Sequence, residues 1–503
     1  MRTIATTFSA GLLAIALLSP VRADTFALVI GADDYLDPAI SDLPGAALDA
    51  HDLHQSLLGI PDIRVTKLIG REASKSGIVE SFREMIRASD PDDTLIFSYA
   101  GHGVQLPDRN GDEEDGMDEA FLLPDFRMDA MDEESLLFDD EMDALIREAA
   151  PREVLLIADS CHSSTAVRGA SPLVRGGKSR MVRIEHPLPL GTGTTGREPL
   201  LPPENAILLA AIHESLEVEE VMIDGEWRGA LSWAAARAFE GQADQDADGL
   251  LNVDEVFAYV EASVRSISEN RQTPAVWKGG EVGSRPLLRV GNVREPQFKP
   301  EDTVKLHILG EDQTVATRDR LGSAVAYSDA KTADLYLDAT SGAVISPMGD
   351  TLATLSPQWT EQEVSPIVEK LRLAKFLRPR ADGQIAAQLS HGDRVYETGE
   401  KTRLSLRSTR DGEILAFVID PDGVLWRLAG PTPMRSQEEL LIPLRIAPPA
   451  GVYYIIVAIP GASNALSPLL DLNEGKALTR DLTDRLTTLL EHQPVYLSNL
   501  YTR

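Results

Sequence analysis

Short apolar runs alternate with amphipathic segments over the first half of the chain. The runs are rich in β-branched residues and predict buried strands at 25–30, 63–69, 94–99, 154–158 and 206–211. Apolar residues at helical spacing predict helices at 44–58, 74–88, 139–149, 230–240 and 254–267. Strands that alternate with helices in this way predict an α/β fold with a mostly parallel, doubly wound sheet.

The pattern changes after about residue 293. Short strands separated by turn residues are predicted at 402–407, 413–419, 424–428 and 452–457, with helices only at 361–376 and 476–491. We therefore expect one domain at 24–292 and a β-rich, antiparallel, sandwich-like region at 293–503, which is long enough for two subdomains. Within the first domain, residues 168–205 are rich in Gly, Pro, Ser and Thr and lack periodicity, which predicts a mobile loop.

The first 23 residues have the pattern of a signal peptide. Arg2 is followed by an apolar core at 10–18, and Val21-Arg22-Ala23 fits a small-x-small cleavage site. The core is too short to span a bilayer, and no later stretch reaches about 20 apolar residues. We therefore expect a secreted or periplasmic protein with no stable membrane span, the alternative being a retained helix at a membrane.

The chain of 503 residues is strongly acidic. It carries 79 acidic and 48 basic side chains, which give a formal net charge of −31. This charge argues against nucleic acid as a partner and favours cations or basic peptides. Solubility explains the charge equally well.

Two of the predicted buried strands end beside residues capable of nucleophilic or acid/base chemistry. His102 follows the strand at 94–99, and Cys161, the only cysteine, follows the strand at 154–158. The carboxyl ends of parallel strands share one edge of a sheet, so we expect these two side chains to meet there. A thiolate and an imidazole suffice for acyl transfer, and this layout is typical of a cysteine hydrolase. The backbone amides of Gly103 and Cys161 are candidate oxyanion donors.

Residues 244–255 match the twelve-residue calcium loop of EF-hands. Gly249 stands where that loop turns sharply, and helical patterns lie on both sides of the loop. The expected ligands of Ca²⁺ are Asp244, Asp246, Asp248, Leu250, Asn252 and Glu255. An acidic turn before an N-capped helix is the alternative interpretation.

Several motifs, in order, resemble those of metacaspases and related bacterial caspase-like peptidases. They are Phe97–Gly103, Asp108–Glu119, Leu123–Asp125, Asp139–Glu141 and Ala158–Ser163, together with the opening segments at 27–31 and 43–50. The resemblance covers roughly residues 24–285 and implies a caspase-like α/β fold with His102 and Cys161 as the catalytic dyad. The chain departs from the family at Ser164, where glycine is usual.

The resemblance also implies a substrate class. It places Asp49 and Asp159 in the pocket for the residue before the scissile bond, and carboxylates there favour Arg or Lys. Without the motif, Asp49 would be a helical surface carboxylate and Asp159 a cap of the following turn. A weaker, regulatory calcium site would use Asp118, Asp139 and Asp140, but Arg168 stands at the position of its fourth ligand.

Two functions remain open on the sequence. The first is an exported cysteine endopeptidase that acts on proteins or peptides with basic residues, with calcium dependence and self-processing as further expectations. Self-processing is suggested by the basic residues of the loop at 168–205, although a solvated basic loop is an equal alternative. The second is a catalytically silent, caspase-like, calcium-binding interaction protein.

Overall fold

A computed structural model describes most of the chain after residue 23. The described residues are 24–108, 111, 116–130, 132–160, 179–180, 182, 203–211, 219–223, 225–280, 286–290, 303–310, 325–330, 332–356, 358–392, 394–459 and 475–503. The predicted signal peptide, Cys161, Ser164, Arg168 and most of the loop at 168–205 lie outside these residues.

The first half of the chain contains the strands and helices that its hydrophobic pattern predicts, together with shorter strands that it does not predict. The strands are β1 (Thr25–Gly31), β2 (Ile63–Ile69), β3 (Thr94–Ala100), β4 (Gly103–Pro107), β5 (Met117–Leu122), β6 (Leu136–Phe138), β7 (Glu153–Asp159), β8 (Ala206–Ala210), β9 (Val221–Ile223), β10 (Glu226–Arg228), β11 (Leu250–Leu251), β12 (Ala275–Lys278) and β13 (Leu288–Arg289). The helices are α1 (Pro44–Leu57), α2 (Lys75–Ala88), α3 (Asp139–Ala149), α4 (Ala230–Arg237) and α5 (Val253–Ile267).

A mostly parallel sheet forms the centre of this half. Its described strands run in the order β12-β8-β7-β3-β1-β2, and only the edge strand β12 is antiparallel. Every residue of β1 and β3 is buried, because helices cover both faces of the sheet. Val29 faces the side of α1, α4 and α5, and Leu28 faces the side of α2 and α3. The predicted α/β fold class is confirmed.

A small antiparallel sheet of β4, β5 and β6 covers the end of β3. Tyr99 of β3 stacks on Phe121 of β5, with ring centroids 4.2 Å apart. The hydrophobic pattern did not predict these strands. The acidic stretch at 108–119 follows β4 and includes the beginning of β5, and its charged residues interrupt the apolar alternation.

The second half is rich in β-structure. Its strands are β14 (Lys305–Leu309), β15 (Ala326–Tyr327), β16 (Leu335–Asp338), β17 (Ala343–Ile345), β18 (Thr351–Thr354), β19 (Ile385–Leu389), β20 (Val395–Tyr396), β21 (Lys401–Ser408), β22 (Gly412–Ile419), β23 (Val424–Met434), β24 (Glu439–Arg445), β25 (Gly451–Ala458), β26 (Lys476–Ala477) and β27 (Val495–Thr502). Its helices are α6 (Glu361–Leu377) and α7 (Arg480–Leu490).

Two sheets of this half form the predicted sandwich. The sheet β20-β27-β25-β22-β23-β26 packs one face on β19-β21-β24, in a hydrophobic cluster that contains Leu406 and Ile455, and the other face on α6 and α7. A further sheet, β15-β14-β16-β17-β18, contains parallel pairs of β14 with β15 and β16. This sheet departs from the expected antiparallel arrangement.

The two halves of the chain are joined at the end of α5. Glu269 pairs with Arg378 at 2.8 Å, Asn270 donates to Ser498 Oγ, and Arg271 pairs with Asp350. None of the helices in the described part of the chain is long and apolar enough to cross a membrane.

Candidate active site

The ends of three neighbouring strands share one edge of the central sheet. The register pairs Gly31 of β1 with Ala100 of β3, and Ala100 with Asp159 of β7. His102 follows the end of β3 by two residues, and in the sequence Cys161 follows the end of β7 by two residues. The register therefore leads both segments to the same edge. Since Cys161 lies outside the described residues, the His102–Cys161 dyad stays a prediction.

The imidazole of His102 is buried and held in one orientation. Its Nε2 lies 2.8 Å from the backbone oxygen of Ser41, and its ring lies against Tyr35 with the centroids 4.9 Å apart. A carbonyl oxygen only accepts hydrogen bonds, so Nε2 carries the proton in the neutral imidazole. Nδ1 is then the basic nitrogen, as a general base for a thiol requires.

Two buried tyrosines fix the turn that carries His102. Tyr99 Oη donates to the carbonyl of Leu122 at 2.7 Å, and Tyr35 Oη accepts the backbone N–H of His102 at 2.9 Å. Burial raises the pKa of both phenols, so they remain neutral. A Cβ at Gly101 would lie 2.6 Å from Tyr99 Oη, so only glycine fits the turn. The role of Tyr35 was not predicted from the sequence.

The predicted oxyanion donor Gly103 binds a carbonyl of this chain. Its backbone N–H donates to the oxygen of Arg180 at 2.9 Å, and Val182 N–H donates to the oxygen of Gly103 at 3.1 Å. The donor therefore points toward the backbone of the basic segment at 168–205. The second predicted donor, the N–H of Cys161, is outside the described part of the chain.

Asp49 and Asp159 lie together around one cation, and both are fully buried. The guanidinium of Arg180 lies 2.5 Å from Asp49 Oδ2, 3.2 Å from Asp159 Oδ1 and 3.5 Å from Glu220 Oε1. We call Asp49, Asp159 and Glu220 with the space between them the specificity pocket, after the role that the resemblance predicts for Asp49 and Asp159. Asp49 is not the surface carboxylate that its helix alone would suggest, since α1 turns it toward the sheet edge.

The beginning of α4 holds the carboxylates of the specificity pocket. Gly229 N–H donates to Asp49 Oδ2, and Ser232 N–H donates to Asp159 Oδ2, both at 2.8 Å. Arg228 Nε donates to Asp49 Oδ1 at 2.7 Å. Burial raises the pKa of Asp49, and the charges of Arg180 and Arg228 oppose that rise.

Arg180 is charged throughout the accessible pH range. Burial by itself lowers the pKa of its guanidinium, but the negative charges of Asp159, Asp49 and Glu220 outweigh this effect and raise it. No solvent reaches the Arg180 side chain. The pocket thus encloses a permanent cation and holds it with carboxylates.

Two residues of the pocket were not predicted from the sequence. Glu220 precedes β9 and is 1% exposed. No feature of the sequence distinguishes it from the neighbouring acidic residues. Gly229 leaves the space that the guanidinium fills, because a Cβ there would lie 2.6 Å from Arg180 Nη1 and closer still to Asp159 Oδ2. The glycine before a predicted helix was the available signal, although it is equally typical of a helix start.

One known family matches part of the chain that carries this site. Residues 27–169 match the model of the metacaspase, peptidase C14 domain. This range contains Asp49, His102, Asp159 and Cys161. Residues 27–169 form a metacaspase domain.

Two curated metacaspases are also similar to this chain. Metacaspase-1A of Aspergillus fumigatus is 29% identical over an alignment of 215 residues that covers 36% of this chain and 51% of that protein. Metacaspase-1 of Emericella nidulans is 37% identical over 97 residues, which are 19% of this chain and 23% of that protein. The chain thus spans about half the length of the first relative and a quarter of the second.

One solved structure, of a Geobacter sulfurreducens protein, is also similar. It is 21% identical in sequence, with a TM-score of 0.39, and covers 53% of this chain and all of that chain.

The predicted calcium loop at 244–255 lies outside the range matched by the metacaspase domain. Carboxylate oxygens of Asp244, Asp246 and Glu255 lie within 4.8 Å of one another, so these three can hold a metal ion. Gly249 has a φ of +80° and donates its N–H to Asp244 Oδ2 at 3.0 Å, which closes the loop. The loop lies between α5 and a π-turn that extends α4, so the predicted flanking helices are present.

The other predicted ligands of this loop have local roles. Asp248 Oδ1 accepts the N–H of Leu250 at 2.7 Å, and Leu250 pairs with Arg289 between β11 and β13. Asn252 Oδ1 accepts the N–H of Glu255 and caps α5. Burial raises the pKa of Glu255, and the charges of Asp246 and Asp244 raise it further.

The weaker set of predicted calcium ligands is spread over two elements. Asp118 is buried in β5, while Asp139 and Asp140 begin α3 and lie near its positive end. Among the residues that the structure describes, these three do not form a cluster of the kind seen in the calcium loop.

Proposed function

We propose that this protein is a cysteine endopeptidase that cuts peptide bonds after arginine or lysine. The observation that carries the proposal is the specificity pocket, in which a buried guanidinium lies among Asp49, Asp159 and Glu220. The pocket lies at the carboxyl edge of the sheet, and the metacaspase domain supplies the family context.

The chemistry uses one thiol and one imidazole. His102 Nδ1 takes the proton of Cys161, and the thiolate attacks the carbonyl carbon of the substrate. The N–H of Gly103 and that of Cys161 stabilise the oxyanion, and the imidazolium protonates the leaving amine. Water then hydrolyses the thioester and restores the free thiol. The hydrogen bond to Ser41 supports this sequence, since it keeps Nδ1 available as the base.

The charge of the specificity pocket supports a basic substrate residue. A buried carboxylate without a cation is unfavourable, and three of them would repel an aspartate side chain. A planar guanidinium offers hydrogen bonds to two carboxylates at once, whereas the lysine ammonium is a point charge. We therefore expect Arg to be preferred over Lys, and Asp to be rejected.

Calcium dependence, export and self-processing belong to the same proposal. Asp244, Asp246 and Glu255 support a Ca²⁺ site in the calcium loop, and no chemical step depends on that ion. The pattern of residues 1–23 supports export into a periplasm or the medium. The basic residues at 168–205 support self-processing.

The test compares hydrolysis of peptides that differ only in the residue before the cut. Wild type and Cys161→Ala are assayed on Arg-, Lys-, Gln- and Asp-ended fluorogenic peptides, with calcium and with a chelator. We expect Arg- and Lys-peptides alone to be cut, and only by wild type. No turnover by wild type in any condition would reject the endopeptidase and favour the silent, calcium-binding interaction protein.

A further inference from the structure

The segment that carries Glu220 of the specificity pocket is held on two sides. The carboxylate of Glu220 lies 3.5 Å from the guanidinium of Arg180, and it packs against the backbone of Gly45, where a Cβ would lie 2.2 Å from Glu220 Oε1. The backbone oxygen of the adjacent Glu219 accepts a hydrogen bond from Gln272 Nε2 at 2.6 Å. The position of Glu220 therefore depends on Gln272 as well as on α1.

Gln272 is buried with one of its polar atoms unsatisfied. The residue is 1% exposed, and among the residues that the structure describes its Oε1 has no hydrogen-bond partner. A buried polar atom without a partner destabilises a fold, so an apolar side chain of similar size would serve packing better. What the glutamine supplies at this position is the hydrogen bond to the backbone of Glu219.

A turn of the second half of the chain holds the residue before Gln272. Arg271 Nη2 donates to the backbone oxygen of Met348 at 3.2 Å, and the Arg271 guanidinium pairs with Asp350. Met348 and Asp350 lie in the turn between β17 and β18. Met348 is 7% exposed and belongs to the same hydrophobic cluster as Val221, the first residue of β9. This turn is therefore packed into the core of the first half.

We propose that the second half of the chain positions Glu220 in the specificity pocket. This inference rests on the proposed function. Asp350 fixes Arg271 at the junction of the two halves. The next residue, Gln272, holds the backbone of Glu219 and with it the carboxylate of Glu220.

This role differs from that of a junction that only stabilises the chain. The residues of the series bind the wall of the specificity pocket and do not touch the substrate, so their loss should weaken the binding of a basic side chain. Weaker binding that is equal in the ground state and the transition state raises KM and leaves kcat unchanged. A junction that only stabilises the chain would lower Tm and leave KM unchanged.

The experiment measures kcat and KM of the full chain for an Arg-ended peptide, together with Tm. Gln272→Met removes the hydrogen bond to Glu219 and keeps the approximate size of the side chain. We expect KM to rise about 2- to 5-fold with kcat similar, because the charge of Glu220 stays but is held less firmly. Asp350→Asn, at the other end of the series, should raise KM by a smaller factor.

A double variant tests whether Gln272 acts through Glu220. If it does, Gln272→Met should raise KM no further once Glu220→Gln has removed the charge. The effects of independent sites would instead multiply.

Asn270→Gly is the matched control in the same turn. Asn270 also joins the two halves, since its Nδ2 donates to Ser498 Oγ and to the backbone oxygen of Asn499. Its φ of +63° suits glycine, so the substitution keeps the backbone of the turn. We expect a lower Tm and an unchanged KM, because the contacts of this side chain lead to β27.

Each result decides the question. An unchanged KM in Gln272→Met overturns the inference and leaves the endopeptidase standing, as does an equal rise of KM in Asn270→Gly. Multiplying effects in the double variant also overturn it. If Gln272→Met does not fold, Asp350→Asn decides, and an unchanged KM there overturns the inference. An absence of peptide hydrolysis by wild type rejects the endopeptidase and the inference together.

Discussion

The specificity pocket and the calcium loop are both clusters of carboxylates, but they differ in exposure. Asp49 and Asp159 are fully buried, whereas Asp244 and Glu255 are half-buried and Asp246 is exposed. A buried charge without a partner is costly, so the pocket needs a cation with hydrogen-bond donors close by. In the loop, water and counterions screen the repulsion between the carboxylates.

This difference in exposure predicts which cation each cluster would accept. In the pocket, backbone N–H groups of Gly229 and Ser232 fix the carboxylates. The planar guanidinium of Arg180 contacts Asp49 Oδ2, Asp159 Oδ1 and Glu220 Oε1. In the loop, three carboxylates within 4.8 Å surround a small space, which suits a compact divalent ion with oxygen ligands. The number of acidic residues alone would not distinguish the two sites.

The strongest test of this contrast removes one buried charge. Asp49→Asn should lower kcat/KM for an Arg-peptide by about 30- to 4,000-fold, because losing one partner of a buried charge pair costs about 2–5 kcal/mol. We expect kcat/KM, measured on matched Arg- and Gln-ended peptides, to fall for the Arg-ended peptide and to change little for the Gln-ended one.

The matched control for Asp49→Asn is Asp52→Asn, one turn further along α1. Asp52 pairs with Arg228 and Arg237 rather than with Arg180, and a quarter of its side chain is exposed. We expect its effect to stay within about threefold, as for a partly exposed ion pair. Equal losses in the two variants would contradict a pocket built around Asp49.

A second test fills the space of the guanidinium without changing any charge. Gly229→Ala places a methyl group against Arg180 Nη1 and Asp159 Oδ2, and overpacking of this kind costs about 1–3 kcal/mol. We expect a rise of about 5- to 150-fold in KM for Arg-peptides, with a smaller change for Lys-peptides, whose head group is narrower.

Gly225→Ala, in the turn before β10, is the control for Gly229→Ala. Its Cβ would meet only Lys305 Nζ, at 3.9 Å, although its φ of +82° makes the substitution slightly strained. Its effect should fall on thermal stability and not on the ratio of Arg to Lys cleavage. If Gly225→Ala also changed the ratio of Arg to Lys cleavage, the effect of Gly229→Ala could not be attributed to the space beside the guanidinium.

A smaller effect is expected from the third carboxylate. Glu220 Oε1 lies 3.5 Å from the guanidinium, further than the oxygens of Asp49 and Asp159. Glu220→Gln should lower kcat/KM for Arg-peptides by about 3- to 10-fold, or about 1 kcal/mol, since Coulomb energy falls with distance. The neighbour Glu219 meets Ser179 through its backbone, so Glu219→Gln should have little effect. A larger loss of kcat/KM in Glu219→Gln than in Glu220→Gln would contradict the assignment of Glu220 to the pocket.

The sequence predicted the parts of this molecule that repeat a regular pattern. The buried runs of β1, β3 and β7 predicted the parallel sheet, and the spacing of Asp244, Asp246 and Glu255 predicted a local loop whose ligands are close in sequence. Asp49 and Asp159 were found only through the resemblance, because α1 and β7 meet through tertiary packing. Glu220 and Gly229 come from an irregular segment and a helix start, where no periodicity indicates which side chain points inward. The sequence identified Arg180 only as one of several basic residues in the loop at 168–205, so its position among the carboxylates of the pocket could not be predicted.

The smallest effect concerns the calcium loop and is measured as stability rather than activity. An ion that binds the folded chain at ten to a hundred times its Kd adds about 1.4–2.7 kcal/mol, which raises Tm by a few degrees in a chain of this size. We expect Ca²⁺ to raise the Tm of wild type, and Glu255→Gln to abolish the shift.

Asp254→Asn is the control, because that neighbouring carboxylate is 83% exposed and pairs with Lys278. Since the pKa of Glu255 is raised and Ca²⁺ needs the ionised carboxylate, the shift should shrink as the pH falls toward that pKa. An equal shift in Glu255→Gln and wild type would mean that the loop does not bind the ion, and the contrast with the specificity pocket would then be one of exposure alone.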